Sequence, residues 1–454
     1  MAAAAAALLL LGGCASFSPD GGFDSVRGAT RARTGQSPAY QRTTEDTAAA
    51  SQRLNELLAQ ALTPDSAVEI ALLNNRGLQA DFSALGIAEA ERVRAGRLRN
   101  PSFSFGRLSG GGNTEIDRAV MFDVLGLLTL PANRAFGQGR FEQAQLQATV
   151  DAVRIATDTR RAFFNAVAAN EVARYADQVE SAADAAGELA QRMRTAGNFS
   201  ALAQMREQAF HADAIALRLR ARQQALAERE RLTRLLGLSG AQIAFMLPER
   251  LPALPTAPLA PENAEQTAMA MRLDVAMAKR EAEATAAALG LTQATRFINV
   301  LNVGYQNKSQ TGTPRLNGVE IEVELPLFDF GSTRSARAEA LYMQALHRTA
   351  EVAVNAQSEV RESYAAYRSA YALAKHYRDE VVPLRQAISD ENLLRYNGML
   401  ISVFDLLADA REQIASVTAS VDALRDHWLA QTQLEAALSV RLPTPESAAK
   451  KAQP

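Results

Sequence analysis

The chain has 454 residues, enough for two or three ordinary domains or for one elongated architecture. Its formal net charge is −2, and charges of both signs are mixed along it, which argues against a basic face for nucleic acid. Hydrophobic residues make up 48% of the chain but aromatic residues only 6%. Because much of the apolar content is alanine, the composition favours long, closely packed helices over a bulky globular core.

The only cysteine, Cys14, excludes a disulfide framework and a cysteine-based zinc or iron–sulfur site. It follows an apolar run, residues 1–13, which is too short to span a bilayer of about 30 Å and is typical of a signal peptide. The ending Leu-Gly-Gly-Cys resembles the lipobox of bacterial lipoproteins, in which the cysteine is acylated and becomes the mature N-terminus. The resemblance implies an acyl anchor such as palmitate on Cys14 and, because Ala15 follows it, delivery to the outer membrane.

Residues 14–61 are predicted to form a lipidated N-terminal segment. Within it, residues 15–50 are rich in Gly, Ser, Thr, Arg and Ala without periodicity, which predicts an extended chain. A helix start follows, with Thr63 as the N-cap and Pro64 at the first helical position. The helical pattern then continues to about Arg99.

Two strand candidates come next, "PSFSFGRL" from Pro101 and "AVMFDVLGLL" from Ala119. Pro131 is predicted to close the second strand. No proline occurs between Asn133 and Gly197, which predicts one helix of about 60 residues. A further helix is predicted from about Ser200 to Leu236. These elements form a first structural repeat.

A proline-rich segment then separates this repeat from a second copy of the same plan. The segment contains five of the sixteen prolines and predicts a stiff, extended linker. The predicted organisation is therefore a first repeat at 62–247, a linker at 248–261, a second repeat at 262–442 and a tail at 443–454.

The second repeat again offers two strands and a very long helix. The strands are "INVLNVGYQN" and the stretch Asn317–Leu327, and the long helix is predicted from about Ser332 to Tyr396. Pro383 is expected to kink this helix because it removes a backbone hydrogen bond and crowds the preceding turn. The last helix is predicted from about Ser402 to Val440.

The strand Asn317–Leu327 alternates aliphatic residues with Glu320, Glu322 and Glu324. Successive strand side chains point to opposite faces, so this strand separates an apolar environment from a wet one. A soluble sandwich with its glutamates in solvent fits this pattern. A membrane barrel with its glutamates in a water-filled lumen fits it equally.

The duplicated order at fixed spacing resembles the TolC-type outer membrane factor family, the trimeric exit ducts of bacterial efflux and secretion systems. The resemblance covers about Leu62 to Leu442 and is carried by "LTPDSAVEIALLNNRGLQA", "ELPLFDFGSTRSARAEA" and "YNGMLISVFDLLADAREQ". It implies a fold that is mostly α with a small β part. Three chains would share a twelve-stranded transmembrane β-barrel on a long periplasmic α-helical barrel, with Glu320, Glu322 and Glu324 facing the lumen.

The resemblance also implies a function for the turn that ends each long helix. Gly197 and Gly398 are predicted to adopt positive φ there, and such turns form the periplasmic tip that an adaptor protein contacts in the family. Arg194 and Arg395, each three residues before the glycine, are placed to pair with an acid of a neighbouring chain.

Asp405 and Asp409 stand at i and i+4, so they share one face of the last helix. Threefold symmetry would make each of them a ring of three carboxylates, a gate at the tip. Gln204 and Met205 stand near the equivalent positions of the first repeat, so the acids would come from the second repeat only. The alternative interpretation is that these are solvated helix charges of little energetic weight.

No catalytic motif, cofactor site or metal site is predicted, because the four histidines are isolated and no P-loop or nucleophile elbow occurs. The predicted protein is a passive channel, a homotrimer in outer membrane lipid. Its predicted partners are a periplasmic adaptor and an inner-membrane pump, and no nucleic acid. Two alternatives remain: a periplasmic adaptor lipoprotein, or a structural coiled-coil lipoprotein. Four amphipathic strand candidates and duplicated long helices argue against both.

Overall fold

The computed structural model describes residues 16–295, 300–324 and 328–442. Over these residues the chain is mostly helical, with one small antiparallel sheet. The predicted signal peptide, the predicted lipidation site Cys14 and the predicted tail at 443–454 lie outside the described residues.

The elements follow one another in two halves of similar order. In the first half they are α1 (Phe23–Thr34), α2 (Thr44–Leu58), α3 (Pro64–Asn74), α4 (Arg76–Ala95), β1 (Ser102–Gly110), β2 (Asn113–Asp123), α5 (Val124–Thr195) and α6 (Ala201–Leu236). In the second half they are α7 (Ala264–Met271), α8 (Leu273–Ala294), β3 (Leu301–Gln310), β4 (Leu316–Val323), α9 (Ser332–His376), α10 (Val382–Asn397) and α11 (Val403–Leu438).

The N-terminal segment contains two helices, so the prediction of an extended chain over residues 15–50 was wrong. The α1 helix buries Phe23, whose ring packs edge-on against Phe82 at a centroid distance of 4.9 Å. The α2 helix begins with a capping box in which the side chains and backbone amides of Thr43 and Asp46 bond reciprocally. Contacts with residues distant in the sequence stabilise α1, and composition alone does not reveal them.

The predicted start of α3 is confirmed. The Thr63 hydroxyl accepts a hydrogen bond from the backbone N–H of Ser66 at 3.0 Å, and Pro64 is the first helical residue. The Asn75 side chain then accepts from the N–H of Leu78 at 3.0 Å, which starts α4 directly after α3.

The prediction that Pro131 closes the second strand was wrong. Strand β2 ends at Asp123, whose carboxylate accepts a hydrogen bond from the backbone N–H of Gly126 at 2.6 Å. This carboxylate caps the first turn of α5, which begins at Val124 and continues past Pro131 without a break. The helix therefore starts at this cap and tolerates Pro131 seven residues after its first residue, although the proline removes one backbone donor.

Pro383 was predicted to kink the second long helix, and the structure has a local irregularity beside it. A π-helical turn, Tyr377–Val381, separates α9 from α10, and Pro383 is the second residue of α10. The proline nitrogen cannot donate to the carbonyl one turn earlier, so the backbone widens there to keep its other hydrogen bonds.

The four strands form one sheet in the order β1-β2-β3-β4, with every neighbouring pair antiparallel. The central pair, β2 with β3, joins the two halves of the chain, with Val120 opposite Tyr305. On either side, Phe103 of β1 stands opposite Val120, and Val319 of β4 stands opposite Tyr305. Directly opposed residues share a face, so this register fixes which side chains lie together.

The chain divides into two compact units. One contains the sheet and consists of Asp81–Ala148 and Leu273–Asn355 with the N-terminal residues up to Val26. The other contains the turns between long helices and consists of Arg27–Ala80, Thr149–Arg272 and the residues from Ala356 onward. No helix in the described part of the chain has a stretch that is both long and apolar enough to cross a membrane.

Small side chains fill the interior of the unit that contains the helix turns. Ala173, Ala176 and Ala221, for example, form one buried cluster where α5 meets α6. The proline-rich linker lies against α9 and α11 in the same unit. The indole N–H of Trp428 donates to the carbonyl of Pro252 at 3.0 Å, and the hydroxyl of Tyr371 donates to that of Pro255 at 3.1 Å.

Candidate functional site: a two-faced sheet and two helix turns

One face of the sheet is polar and mostly acidic. The register places these side chains on it: Ser102, Ser104, Glu115, Asp117, Asn302, Gln306, Lys308, Glu320 and Glu322. Lys308 forms an ion pair with Glu115 and lies 4.0 Å from Asp117. The Asn302 amide donates to Glu322 at 2.8 Å. Asp123, opposite Asn302, lies on the same face, so five carboxylates against one lysine leave it with net negative charge.

The opposite face of the sheet is apolar and exposed. The register places these side chains on it: Phe103, Phe105, Val120, Phe122, Val303, Tyr305, Val319, Ile321 and Val323. Phe103 is 67% exposed and Val319 is 74% exposed. Near the strand turns the same face ends in a polar row, in which Arg118 donates to Asn307 at 3.1 Å and Asn307 donates to Asn317 at 2.7 Å. An exposed apolar patch of this kind marks a contact surface for a protein or a membrane.

Two of the three predicted lumen glutamates lie on the polar face. Glu320 and Glu322 belong to β4, whereas the strand ends at Val323 and Glu324 follows it. The backbone N–H of Glu324 still donates to the carbonyl of Val300 at 3.3 Å. Residues 325–327 of the predicted strand lie outside the described residues.

Sequence reasoning missed four charged residues of the polar face: Glu115, Asp117, Asp123 and Lys308. The stretch from Asn113 to Asp123 carries the necessary pattern, since Glu115 and Asp117 alternate with Ile116. It was overlooked because the strand was placed several residues too far along the chain.

The first helix turn has the predicted geometry. Gly197 adopts a φ of +79° directly after α5, and its N–H donates to the carbonyl of Arg194 at 2.9 Å. The Ser200 hydroxyl then accepts from the N–H of Ala203 at 3.1 Å and caps α6.

The second turn differs at the glycine, where the prediction of positive φ was wrong. Gly398 has a φ of −80°, and the positive φ, +58°, falls on Met399. Counted from the glycine, α10 continues one residue further than α5: it ends one residue before Gly398, whereas α5 ends two residues before Gly197. The N–H of Leu400 then donates to the carbonyl of Arg395 at 2.9 Å, closing the helix end around Met399.

This geometry changes which residues of the two repeats correspond. Gly197 matches Met399, and Ser200 matches the capping residue Ser402. Seven residues after these serines stand Glu207 and Asp409, so the first-repeat counterpart of Asp409 is an acid. Gln204 and Met205 were predicted to stand near the equivalent positions, with acids in the second repeat only, on the assumption that the two glycines correspond. With the observed spacing the counterparts of Asp405 and Asp409 are Ala203 and Glu207, so the absence of an acid from the first repeat was predicted wrongly.

The two predicted gate acids have different surroundings. Asp405 is exposed and completes a capping box, accepting from the N–H of Ser402 at 3.0 Å and from its hydroxyl at 2.7 Å. These hydrogen bonds, led by the one from the hydroxyl, lower the pKa of the Asp405 carboxyl. Asp409 is buried, and its Oδ2 has no hydrogen-bond partner among the described residues.

Glu207 is the more completely buried of the two matched acids. It is 2% exposed, and neither carboxylate oxygen has a hydrogen-bond partner within the described chain. Burial raises the pKa of Glu207, and the positive charge of Arg411 opposes that shift. The guanidinium of Arg411 lies over the ring of Phe210, 5.1 Å from its centroid.

The two predicted tip arginines also differ. Arg395 forms an ion pair with Glu391 at 2.8 Å, one turn earlier on the same helix. The side chain of Arg194 is exposed and forms no ion pair with any residue that the structure describes. Within the described ranges, no group of three or more His, Cys, Asp or Glu residues is arranged to hold a metal ion.

The described chain is a duplicated set of long helices that shares one four-stranded sheet. No protein-family model and no curated protein sequence matches the chain. Solved structures do match it. A membrane protein from Pseudomonas aeruginosa is 18% identical, with 85% of this chain and 93% of that chain covered, at a TM-score of 0.70.

Two further solved structures give the same result. The outer membrane protein VceC of Vibrio cholerae is 16% identical over 86% of this chain and 96% of that chain, at a TM-score of 0.68. The CmeC outer membrane channel of Campylobacter jejuni is 13% identical over 88% of this chain and 89% of that chain, at a TM-score of 0.71. The chain therefore has the fold of TolC-type outer membrane efflux channels, as the sequence motifs suggested.

Proposed function

We propose that this protein is an outer membrane channel, the passive exit duct of a tripartite efflux system. Two structural repeats, 62–247 and 262–442, joined by the linker 248–261, build it. The likeness to solved outer membrane channels supports this proposal at the level of fold. The single observation that carries it further is the sheet, with one acidic face, one exposed apolar face and two open edges.

The open edges support a homotrimer. Strands β1 and β4 each have one neighbour among the described residues, so their outer edges present unpaired N–H and C=O groups. Such edges are not tolerated in lipid, where no water satisfies them. Three chains with four strands each would pair edge to edge and close a twelve-stranded barrel that leaves no edge.

In such a barrel the two faces have separate environments. The Phe, Val and Ile face contacts lipid, and the face with Glu320, Glu322 and neighbouring Glu324 lines the aqueous lumen. The excess of carboxylates on that face gives the lumen a preference for cations. An acyl chain on Cys14 adds a lipid anchor, because each buried CH₂ contributes about 0.8 kcal/mol.

The helix turns form the periplasmic tip, where an adaptor protein docks and an inner-membrane pump supplies the driving force. Asp405 contributes an exposed ring of carboxylates that restricts the resting pore, with Arg194 and Arg395 beside it, and the buried Asp409 lies one turn further along the same helix. Asp405 also stabilises the first turn of α11 through its capping box, so its two roles must be separated experimentally.

Planar-bilayer conductance of the purified, detergent-solubilised protein tests the proposal. The wild type should give small, steady openings, and the Asp405→Ala/Asp409→Ala form should give larger ones. The control is Ser402→Ala, which breaks the same helix cap without removing a charge. Larger openings in the double variant alone support the acidic gate.

Equal enlargement in Ser402→Ala would assign the effect to fraying of α11 and overturn the acidic gate. No conductance from any form, together with a monomeric mass, would overturn the channel itself. That result would favour an adaptor or a spacer lipoprotein.

A further inference from the structure

A cationic cleft of about 540 Å³ lies between α4 and the first turns of α5, in the unit that contains the sheet. Its lining includes two arginines, Arg92 and Arg134, and no carboxylate. The cleft between α8 and α9 is different: it is about 300 Å³, and Glu281 balances Arg348 in its lining. Of these two clefts, the one between α4 and α5 has the excess positive charge that attracts an anion.

The two arginines leave donors for a ligand. Arg134 is exposed and forms no ion pair with any described residue. Arg92 donates through Nη2 to Glu89 at 3.1 Å and to the backbone carbonyl of Ser16 at 3.1 Å, and its guanidinium lies over the ring of Phe141, 5.1 Å from the centroid. Its Nη1 makes no hydrogen bond within the described chain. A phosphate has enough acceptor oxygens to bind both guanidinium groups at once, whereas a monodentate carboxylate offers one oxygen.

The surface of α5 changes character along the helix, starting from the sheet. Leu127, Leu130, Pro131, Arg134 and Gln138 follow at helical spacing and so share one face. Leu127, the first of them after the strand, is 50% exposed, and Leu128 beside it is 69% exposed. An apolar surface next to the strand is thus followed by a cationic one. This is the order of the acyl chains and the phosphate in a membrane lipid.

The start of the described chain also lies close to the cleft. Ser16, held by Arg92, is two residues after Cys14, the predicted acylation site. Two residues of extended chain reach about 7 Å at most. An acyl anchor on Cys14 would therefore enter lipid within one side-chain length of the cleft.

We infer that this cleft binds the phosphate of an anionic phospholipid, with the acyl chains along Leu127 and Leu128. The inference rests on the proposed function, because it takes the strands beside the cleft to span the membrane. Arg134 and Arg92 hold the phosphate from opposite sides, and Gln138 offers an amide for the glycerol oxygens. The bound lipid fixes the level at which the helices leave the membrane.

Native mass spectrometry of the full chain in a neutral detergent tests this inference, with dimyristoylphosphatidylglycerol as the titrant. The variant is Arg134→Gln, and the matched control is Arg220→Gln on α6, an exposed arginine without an ion pair in the described chain. Wild type and control should retain the lipid equally. Arg134→Gln should bind it about tenfold more weakly, the scale of one charge-assisted hydrogen bond.

Two further probes distinguish binding of a whole phospholipid from binding of its acyl chains or its headgroup alone. Dimyristoylglycerol has the same chains without a phosphate, and glycerol 3-phosphate has the headgroup without chains. Both should compete poorly with the phospholipid. Equal competition by glycerol 3-phosphate would make this a site for free anions and would overturn the inference, as would identical binding by Arg134→Gln and Arg220→Gln.

Lipid retention is measured without a pore, so the two proposals fail in different ways. If the channel proposal is wrong, conductance is absent whatever the lipid result. If the lipid inference is wrong, conductance is normal while Arg134→Gln and Arg220→Gln retain phosphatidylglycerol alike.

Discussion

The turn after α5 and the turn after α10 have similar backbone conformations but different exposed side chains. In both, a residue with positive φ ends the long helix, and a serine three residues later caps the next one. The first turn uses Gly197 and Ser200, and the second uses Met399 and Ser402. Met399 is 92% exposed and Leu400 is 77% exposed, so only the second turn presents a large apolar tip.

The difference shows that helix caps determine the path of the turn and that glycine is dispensable for it. An L-residue with positive φ is strained by about 1–2 kcal/mol, and the second turn tolerates that strain at Met399. What the repeats have kept is the spacing from the helix end to the capping serine and on to the buried acid. What they have changed is the surface that each turn offers to a partner.

The largest effect is expected at the buried acid of the first repeat. Replacing Glu207 by leucine should raise the free energy of unfolding by about 2 kcal/mol at neutral pH, because a buried carboxylate without partners is removed. The pKa of Glu207 is raised by burial, so its neutral form favours folding below the ordinary glutamate pKa. That contribution is lost as the pH rises through the raised pKa.

The gain in Glu207→Leu should therefore be larger at pH 7.5 than at pH 4. Thermal unfolding in neutral detergent, followed by the helical circular dichroism signal, measures it at both values. Glu230→Leu, an exposed position on the same helix, is the control and should change little at either pH. A loss of stability in Glu207→Leu at neutral pH would mean that the carboxylate has a partner in the assembled protein.

The second effect separates the two caps. Ser402→Ala removes two hydrogen bonds, the one that the hydroxyl accepts from the N–H of Asp405 and the one that it donates to the Asp405 carboxylate, whereas Ser200→Ala removes one. We expect costs of about 1.5 and about 1 kcal/mol respectively. Hydrogen exchange at the first amides of α11 and α6 reads each cap locally. Equal acceleration in both variants would show that the Asp405 bond adds nothing.

Sequence patterns predicted the order of the elements better than their ends. Duplication, helical spacing and the Thr63 cap were sufficient for the long helices and for α3. The end of β2 was misplaced because Pro131 was given more weight than Asp123, whose carboxylate caps α5. Helix α1 was not predicted, because its stability depends on a contact between Phe23 and Phe82, which are far apart in the sequence.

The site was predictable where it depends on alternation and not where it depends on register. Period-two alternation was sufficient for Glu320 and Glu322, since every second residue of a strand shares a face. Which side chains of neighbouring strands share a face depends on the strand pairing, and this pairing places Lys308 beside Glu115. At the turns, a shift of one residue at Gly398 moved the counterpart of Asp409 to Glu207, and only backbone angles reveal such a shift.

The smallest expected effects test the strain at the two turns directly. A Cβ added at Gly197 would meet no atom within 4 Å, so Gly197→Ala costs only the conformational penalty of positive φ, about 1 kcal/mol. Met399→Gly relieves the same penalty but gives the unfolded chain more freedom, leaving a net gain of about 0.5 kcal/mol.

Opposite signs in these two variants, measured as shifts in thermal unfolding, would establish that the turns share one backbone path. Gly398→Ala is the control, because its φ of −80° suits any residue and its Cβ would make only ordinary contacts. It should therefore be only slightly more stable than the wild type, by about 0.5 kcal/mol, because alanine leaves the unfolded chain less freedom than glycine. If Met399→Gly instead destabilises the protein, the exposed methionine makes contacts in the assembled molecule that outweigh its strain, and the apolar second turn lies in an interface between chains.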